Sequence, residues 1–220
     1  MATQKIYLVR HGQTDYNLQG IVQGSGIDAS LNATGNAQAE AFFRAYGDID
    51  FSVVHTSQLN RSKESVAGFI KKGIPHEVHA ALNEISWGNR EGQRITPEED
   101  EYYHWLLDQW QNGKTSIAIE GGESPDDVAR RQKPFVDMLR SMSSGRPILI
   151  CMHGRAMRVL LCQLLNYPLR CMDMFQHRNL CLYLLHRTKA QFVVEAYDNT
   201  EHLALMNMSP KGTAVNVGKK

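Results

Sequence analysis

Residues 5–14, KIYLVRHGQT, constrain the fold more than any other stretch. Ile6, Tyr7, Leu8 and Val9 form an apolar, β-prone run too short for a helix, so they predict a buried strand. The chain then turns polar at Arg10, His11 and Gly12. Such a strand carries an arginine and a histidine to its C-terminal end. Gly12 permits a tight turn there, and in open α/β sheets ligands bind in the crevice beyond the strand C-termini. For an isolated Arg-His pair the favoured reading is a strand-capping His11 and a solvated Arg10, so the rest of the chain has to overturn it.

The pattern that follows alternates helices with strands. Residues 15–32 read as a loop containing Gly20, Gly24 and Gly26, and residues 34–46 as a helix burying Phe42 and Phe43. A second strand is expected at 51–55, ending at Thr56 and Ser57, then one helix over 58–72 with Arg61 in its first turn and Ser65 one turn on. A short strand at 76–79 leads to the loop LNEISWGNREG. Residues 97–111 predict a charged, aromatic helix. Ser124, Pro125 and Asp127 form a strong helix start, with Pro134 expected to kink the helix that follows. Residues 147–152, PILICM, are the most apolar strand, and they too end in a histidine and glycine, His153 and Gly154, before a helix to about 165. Two β-prone runs, 180–186 and 191–197, suggest a hairpin or edge strands.

This order predicts an α/β fold with a mostly parallel sheet covered on both faces. The chain divides into a domain over 1–199, with 93–120 as a peripheral helical insert, and a polar tail over 200–220 that is mobile or draped over the body. With 24 Lys and Arg against 23 Asp and Glu, the net charge of +1 calls for neither nucleic acid nor a membrane surface, so any electropositive site is local. The first residues lack the apolar core of a signal peptide and no run approaches a bilayer span, which makes a cytoplasmic protein the expectation. Cys151, Cys162, Cys171 and Cys181 have no metal-ligand spacing and read as reduced thiols.

In a parallel sheet, three strand ends bring Arg10 and His11, then Thr56, Ser57 and Arg61, then His153 to one edge. Two arginines and two histidines near helix N-termini suit a phosphate, and Glu84 is the nearby carboxyl group. A neutral imidazole can attack phosphorus if its other ring nitrogen donates a hydrogen bond, while the cations neutralise the equatorial oxygens. Glu84 would protonate the leaving alkoxide and then activate water. No metal is required on this reading, because protein cations do the neutralising.

The ordered segments RHGQTDYN, QGSGIDASLNATG, TSQLNRSKES, LNEISWGNREG, GGES and CMHGRAMR resemble the histidine phosphatase superfamily, in its phosphoglycerate mutase-like branch. The resemblance implies a three-layer α/β/α sandwich with a mostly parallel central sheet. By it, His11 is the phosphorylated nucleophile, Arg10, Arg61 and His153 complete the catalytic phosphate pocket, Asn17 and Gly154 bind phosphate, and Glu84 is the proton donor. Gly24 and Ser57 match positions that shape the pocket. The chain departs from the family in having Arg155 where a second glycine usually follows, and that side chain is expected to point outward.

The mutases of the family resemble one another in an arginine-rich segment between the Glu84 motif and GGES. Here the interval 93–121 has only Arg94 and Lys114 as cations. Hydrolysis of small phosphomonoesters without a cofactor is therefore the first expectation. A phosphoglycerate mutase or bisphosphoglycerate phosphatase is the alternative, with 2,3-bisphosphoglycerate as phosphorylating primer only in that case. A catalytically silent phosphate- or phosphoprotein-binding module is a third reading. Tyr102, Tyr103, Trp105 and Trp110 are expected to pack rather than to wall a substrate. The sequence leaves oligomeric state open, a dimer included.

Overall fold

In the computed structural model, residues 3–94, 96–142, 145–189 and 191–207 are described. Strand β1 (Gln4–Arg10) leads through a short helix α1 (Asp15–Gln19) to α2 (Ala33–Tyr46) and β2 (Val53–Thr56). Two short helices, α3 (Asn60–Ser65) and α4 (Ala67–Lys71), precede β3 (His76–Val78). Then come α5 (Pro97–Gln111), α6 (Pro125–Ser141), β4 (Ile148–Met152), α7 (Gly154–Leu165) and the hairpin β5 (Leu182–Thr188) and β6 (Gln191–Asn199).

The strands form one sheet in the order β3-β2-β4-β1-β5-β6. β3, β2, β4 and β1 pair in parallel, while β5 is antiparallel to both of its neighbours. Side chains alternate across the sheet as strand geometry demands. Ile6 and Leu8 face a core shared with α5, α6 and α7, whereas Tyr7 and Val9 face α2 and the α3-α4 pair. Three α/β/α layers result. All five residues of β4 are buried, as a strand covered on both faces requires. Each fully buried aliphatic side chain of this kind contributes roughly 1.5–3 kcal/mol. Segment 93–120 is tied into this body by Leu106 and Trp110, both inaccessible to solvent. Among the described residues, no helix is long and apolar enough to cross a membrane.

Three expectations need correction. The span 15–32 is not loop throughout, because Thr14 and Asn17 build a capping box that starts α1. The helix expected over 58–72 breaks at Val66, whose backbone (φ −120°, ψ 16°) leaves the helical region. Just before the break, the Ser65 hydroxyl donates to the Arg61 carbonyl at 2.6 Å and accepts from the Gly12 N–H at 2.8 Å, so it is spent on the turn after β1. The tail does not leave the body at residue 200. Its first turn, Glu201–Asn207, lays His202 against Phe42 and Tyr46 of α2, and residues 208–220 lie outside the described residues.

The start of α6 matches the expected signal, and the helix runs unbroken through Pro134. Ser124 accepts from the Asp127 N–H, and the Asp127 carboxylate accepts from the Ser124 N–H at 3.0 Å. Hydrogen bonds from Ser124, with Arg130 alongside, hold the Asp127 carboxyl down to about 2. A carboxyl that ionises more readily folded than unfolded stabilises fully above the ordinary Asp range and loses that contribution as pH falls towards about 2. Ser124→Ala should therefore cost about 1 kcal/mol near neutral pH. Urea unfolding should show that deficit narrowing from about pH 5 to about pH 2; a deficit independent of pH would contradict the cap as described.

Candidate active site

Because β1 and β4 are adjacent and parallel, with Arg10 in register with Met152, His11 and His153 leave the sheet side by side. Their ring centroids are 5.1 Å apart. The His11 N–H continues the ladder onto the Met152 carbonyl at 2.9 Å. Gly12 is obligatory for packing: a Cβ there would lie 2.8 Å from the Gly35 carbonyl of α2.

The His11 ring is almost fully buried, and its Nδ1 lies 2.7 Å from the Gly12 carbonyl. A carbonyl only accepts, so Nδ1 carries the proton and Nε2 keeps its lone pair. Burial first, then the Arg10 and Arg61 guanidinium groups, push the His11 pKa well below the ordinary histidine value, so the ring is neutral. His153 is neutral for the same kind of reason, with burial and then Arg61 as causes.

Arg61 is inaccessible to solvent and held on three sides. Its Nε donates to His153 Nδ1 at 3.2 Å, and its terminal nitrogens donate to the carbonyls of Ile27 (2.6 Å) and Gly24 (3.1 Å). An arginine Nε always donates, which makes His153 Nδ1 the acceptor and places the ring proton on Nε2, facing the Ser57 hydroxyl at 2.7 Å. Ser57 thus orients His153. Burial lowers Arg61 to about 10, which still leaves it charged at neutral pH. Arg10 donates to both the Nδ1 and the carbonyl of His177, and Asn17 accepts from Asn179 Nδ2 at 3.2 Å.

Glu84 reaches the same place from the segment after β3. Its Oε1 accepts from the N–H groups of Ile85 (2.9 Å) and Ala156 (2.8 Å), and its Oε2 accepts from that of Arg155 (3.1 Å). Two N–H groups of the first turn of α7, those of Arg155 and Ala156, are therefore spent on Glu84. Both lone pairs of Oε1 are used, whereas Oε2 keeps one. The backbone behind Glu84 is anchored by Arg131 of α6, which donates to the carbonyls of Ala81, Asn83 and Glu84. Arg131 in turn pairs with Glu123 of the GGES segment, and Glu123 accepts from the Ser86 N–H at 2.9 Å.

A cavity of about 200 Å³ is lined by Arg10, Asn17, Glu84 and Gly154 and by Trp87, Tyr102 and Tyr103, while His11, Arg61 and His153 are not among its lining residues. The expected aromatic packing thus holds for Trp110, which is fully buried, while Tyr102 and Tyr103 form a wall and Trp105 is half exposed. Arg155 corrects the outward expectation. Its side chain is 3% exposed, paired with Asp173 and hydrogen-bonded to the Tyr103 hydroxyl at 2.8 Å. Residue 155 falls at the buried start of α7, where a long side chain folds inward under α5.

Sequence reasoning missed His177, Asn179, Arg131 and Asp173. None has a local signature, because each acts across the fold on a residue more than 15 positions away. Glu123 stood in a quoted segment, but no role could be read for it.

The structure predicts that His11 is neutral and protonated on Nδ1 at about pH 6, where a free imidazole is mostly charged. Nitrogen NMR of the side chains checks this; an imidazolium at that pH would contradict the burial and charge arguments.

The sequence matches the histidine phosphatase superfamily (branch 1) over residues 6–200. A 2,3-bisphosphoglycerate-dependent phosphoglycerate mutase of Bradyrhizobium diazoefficiens is 31% identical over 173 residues, covering 73% of this chain and 81% of its own. The structure of the mycobacterial glucosyl-3-phosphoglycerate phosphatase Rv2419c in complex with VO3 is similar at a TM-score of 0.80 and 25% identity, over 90% of this chain and all of the other. The alpha-ribazole phosphatase of Shigella flexneri shares the fold at a TM-score of 0.77 and 22% identity, over 89% and 96% of the two chains. With its fold, ordered motifs and matched span in agreement, the chain belongs to the histidine phosphatase superfamily, in branch 1.

Proposed function

We propose that this protein is a phosphatase that hydrolyses small phosphomonoesters through a phosphohistidine on His11. The observation that carries this reading is the Nδ1–H bond to the Gly12 carbonyl, which leaves Nε2 with its lone pair on a ring kept neutral by burial and by the Arg10 and Arg61 guanidinium groups. Nε2 attacks phosphorus and forms a P–N bond while the P–O bond to the alcohol breaks. Arg10 and Arg61 stabilise charge on the transferring phosphoryl oxygens, His153, whose ring nitrogens are engaged by Arg61 and Ser57, positions the Arg61 guanidinium, and Asn17 and the Gly154 backbone complete the phosphate site.

The departing alkoxide takes a proton from Glu84, whose Oε2 retains the unused lone pair and so is where the transferable proton sits. Water then gives its proton back to Glu84 and attacks phosphorus. The P–N electrons return to His11, and inorganic phosphate leaves. The Trp87, Tyr102 and Tyr103 wall suits the organic part of the substrate.

A phosphoglycerate mutase is the second reading, favoured by the Bradyrhizobium relative and by the presence of Arg90 and Arg155 along the cavity. Arg155, however, is already paired with Asp173, so gripping a substrate carboxylate would require that pair to open. Hydrolysis is the better-supported reaction.

A phosphorus NMR time course with 3-phosphoglycerate, a trace of 2,3-bisphosphoglycerate and p-nitrophenyl phosphate separates the readings. Inorganic phosphate without 2-phosphoglycerate is expected, and accumulation of 2-phosphoglycerate would favour the mutase. Glu84→Gln should slow hydrolysis of alkyl phosphates by about 100-fold or more and of the nitrophenyl ester far less. Phosphate binding without turnover in the parent protein would support a silent binding module instead.

A further inference from the structure

Away from the active site, the exposed edge of the sheet brings together His55, Glu77 and His79. β2 and β3 run in parallel with His55 in register with Glu77, so the two side chains share a face of the sheet. His79 follows Glu77 by two residues and falls on that face as well. The three ligand atoms converge. His55 Nδ1 is 3.0 Å from His79 Nε2, and Glu77 Oε2 is 3.4 Å from each of these nitrogens.

These separations match one face of a coordination tetrahedron. With metal–ligand bonds of about 2.0–2.1 Å, the donor atoms of a tetrahedral zinc site lie about 3.3 Å apart. A hydrogen bond between the two imidazoles accounts for the 3.0 Å contact alone, whereas a cation uses all three lone pairs together. The donor set, two imidazoles and one carboxylate, suits a borderline ion of the zinc type better than calcium or magnesium.

The surroundings suit such an ion as well. His55 is 1% exposed and is held edge-on to Phe135 of α6, as is the His79 ring, so both imidazoles are fixed by packing. Glu77 and His79 reach solvent, with side chains 56% and 24% exposed, which leaves an entry path and room for water as fourth ligand. His76, the remaining histidine of this cluster, is directed to the Thr56 hydroxyl at 2.8 Å and is not part of the donor set.

The geometry points to a zinc-type divalent metal site formed by His55 Nδ1, Glu77 and His79 Nε2. An ion there clips the short edge strand β3 to β2 and fixes residue 79, which opens the 3-10 turn Ala80–Leu82 leading to Glu84. The ion is structural and takes no part in phosphoryl transfer.

The test uses the full chain, stripped with a chelator, dialysed, and titrated with Zn2+ against a competing chelating dye and with Co2+ by visible absorption. One equivalent of Zn2+ is expected, with the intense bands of four-coordinate Co2+ and a raised Tm on adding Zn2+. Glu77→Ala and His79→Gln should each weaken binding by about 10-fold or more and remove the Tm increase, while melting like the parent without metal. His11→Ala, which disables the other histidine pair, should bind as the parent does. Absence of a stoichiometric equivalent, binding that survives both edge substitutions, or binding lost in His11→Ala would each overturn the assignment.

Discussion

The site depends on the pairing of β1 with β4. These two central parallel strands are buried by helices on both faces, and each ends in a histidine followed by a glycine. Their register places His11 and His153 as neighbours before any side-chain interaction is considered. The remaining contacts refine that placement. Gly12 allows close approach to α2, the Gly12 carbonyl selects the His11 tautomer, and Ser57 with Arg61 selects that of His153. Sheet topology thus supplies proximity, and hydrogen bonds supply protonation state.

Burying two arginines beside two histidines is costly unless the charges are hydrogen-bonded and a counter-anion arrives. The protein meets the first requirement with carbonyls: Gly24 and Ile27 for Arg61, His177 for Arg10. Burial first, and then these charges, keep both imidazoles neutral, which a nucleophile needs. Glu84 is held by backbone N–H groups at the start of α7, with Arg131 and Glu123 fixing its segment from behind. Glu84 and the two arginines are therefore positioned by separate networks.

Much of this was legible in the sequence because short-range rules carried it. The apolar runs ending in Arg-His-Gly and His-Gly marked β1 and β4, and the Ser124 capping box marked α6. The motif residues His11, Arg10, Arg61, Glu84 and His153 converge as the strand order implies. What stayed illegible depends on tertiary placement. Arg155 looked solvent-directed until Asp173 and Tyr103 were found beneath α5, and the break at Val66 arises where the preceding Ser65 hydroxyl turns back to the Gly12 loop. His177 and Asn179 sit in the segment before β5 and reach Arg10 and Asn17 only once the sheet has formed.

The central claim is that His11 Nε2 accepts the phosphoryl group. Its most direct test is to trap the phosphoenzyme by rapid quenching into alkali during turnover of p-nitrophenyl phosphate and to map the modification by mass spectrometry and phosphorus NMR. The account predicts an acid-labile, alkali-stable phosphoryl group on Nε2 of His11, absent from His11→Ala. A phosphoryl group on Nδ1 or on another residue, or turnover that persists in His11→Ala, would contradict it.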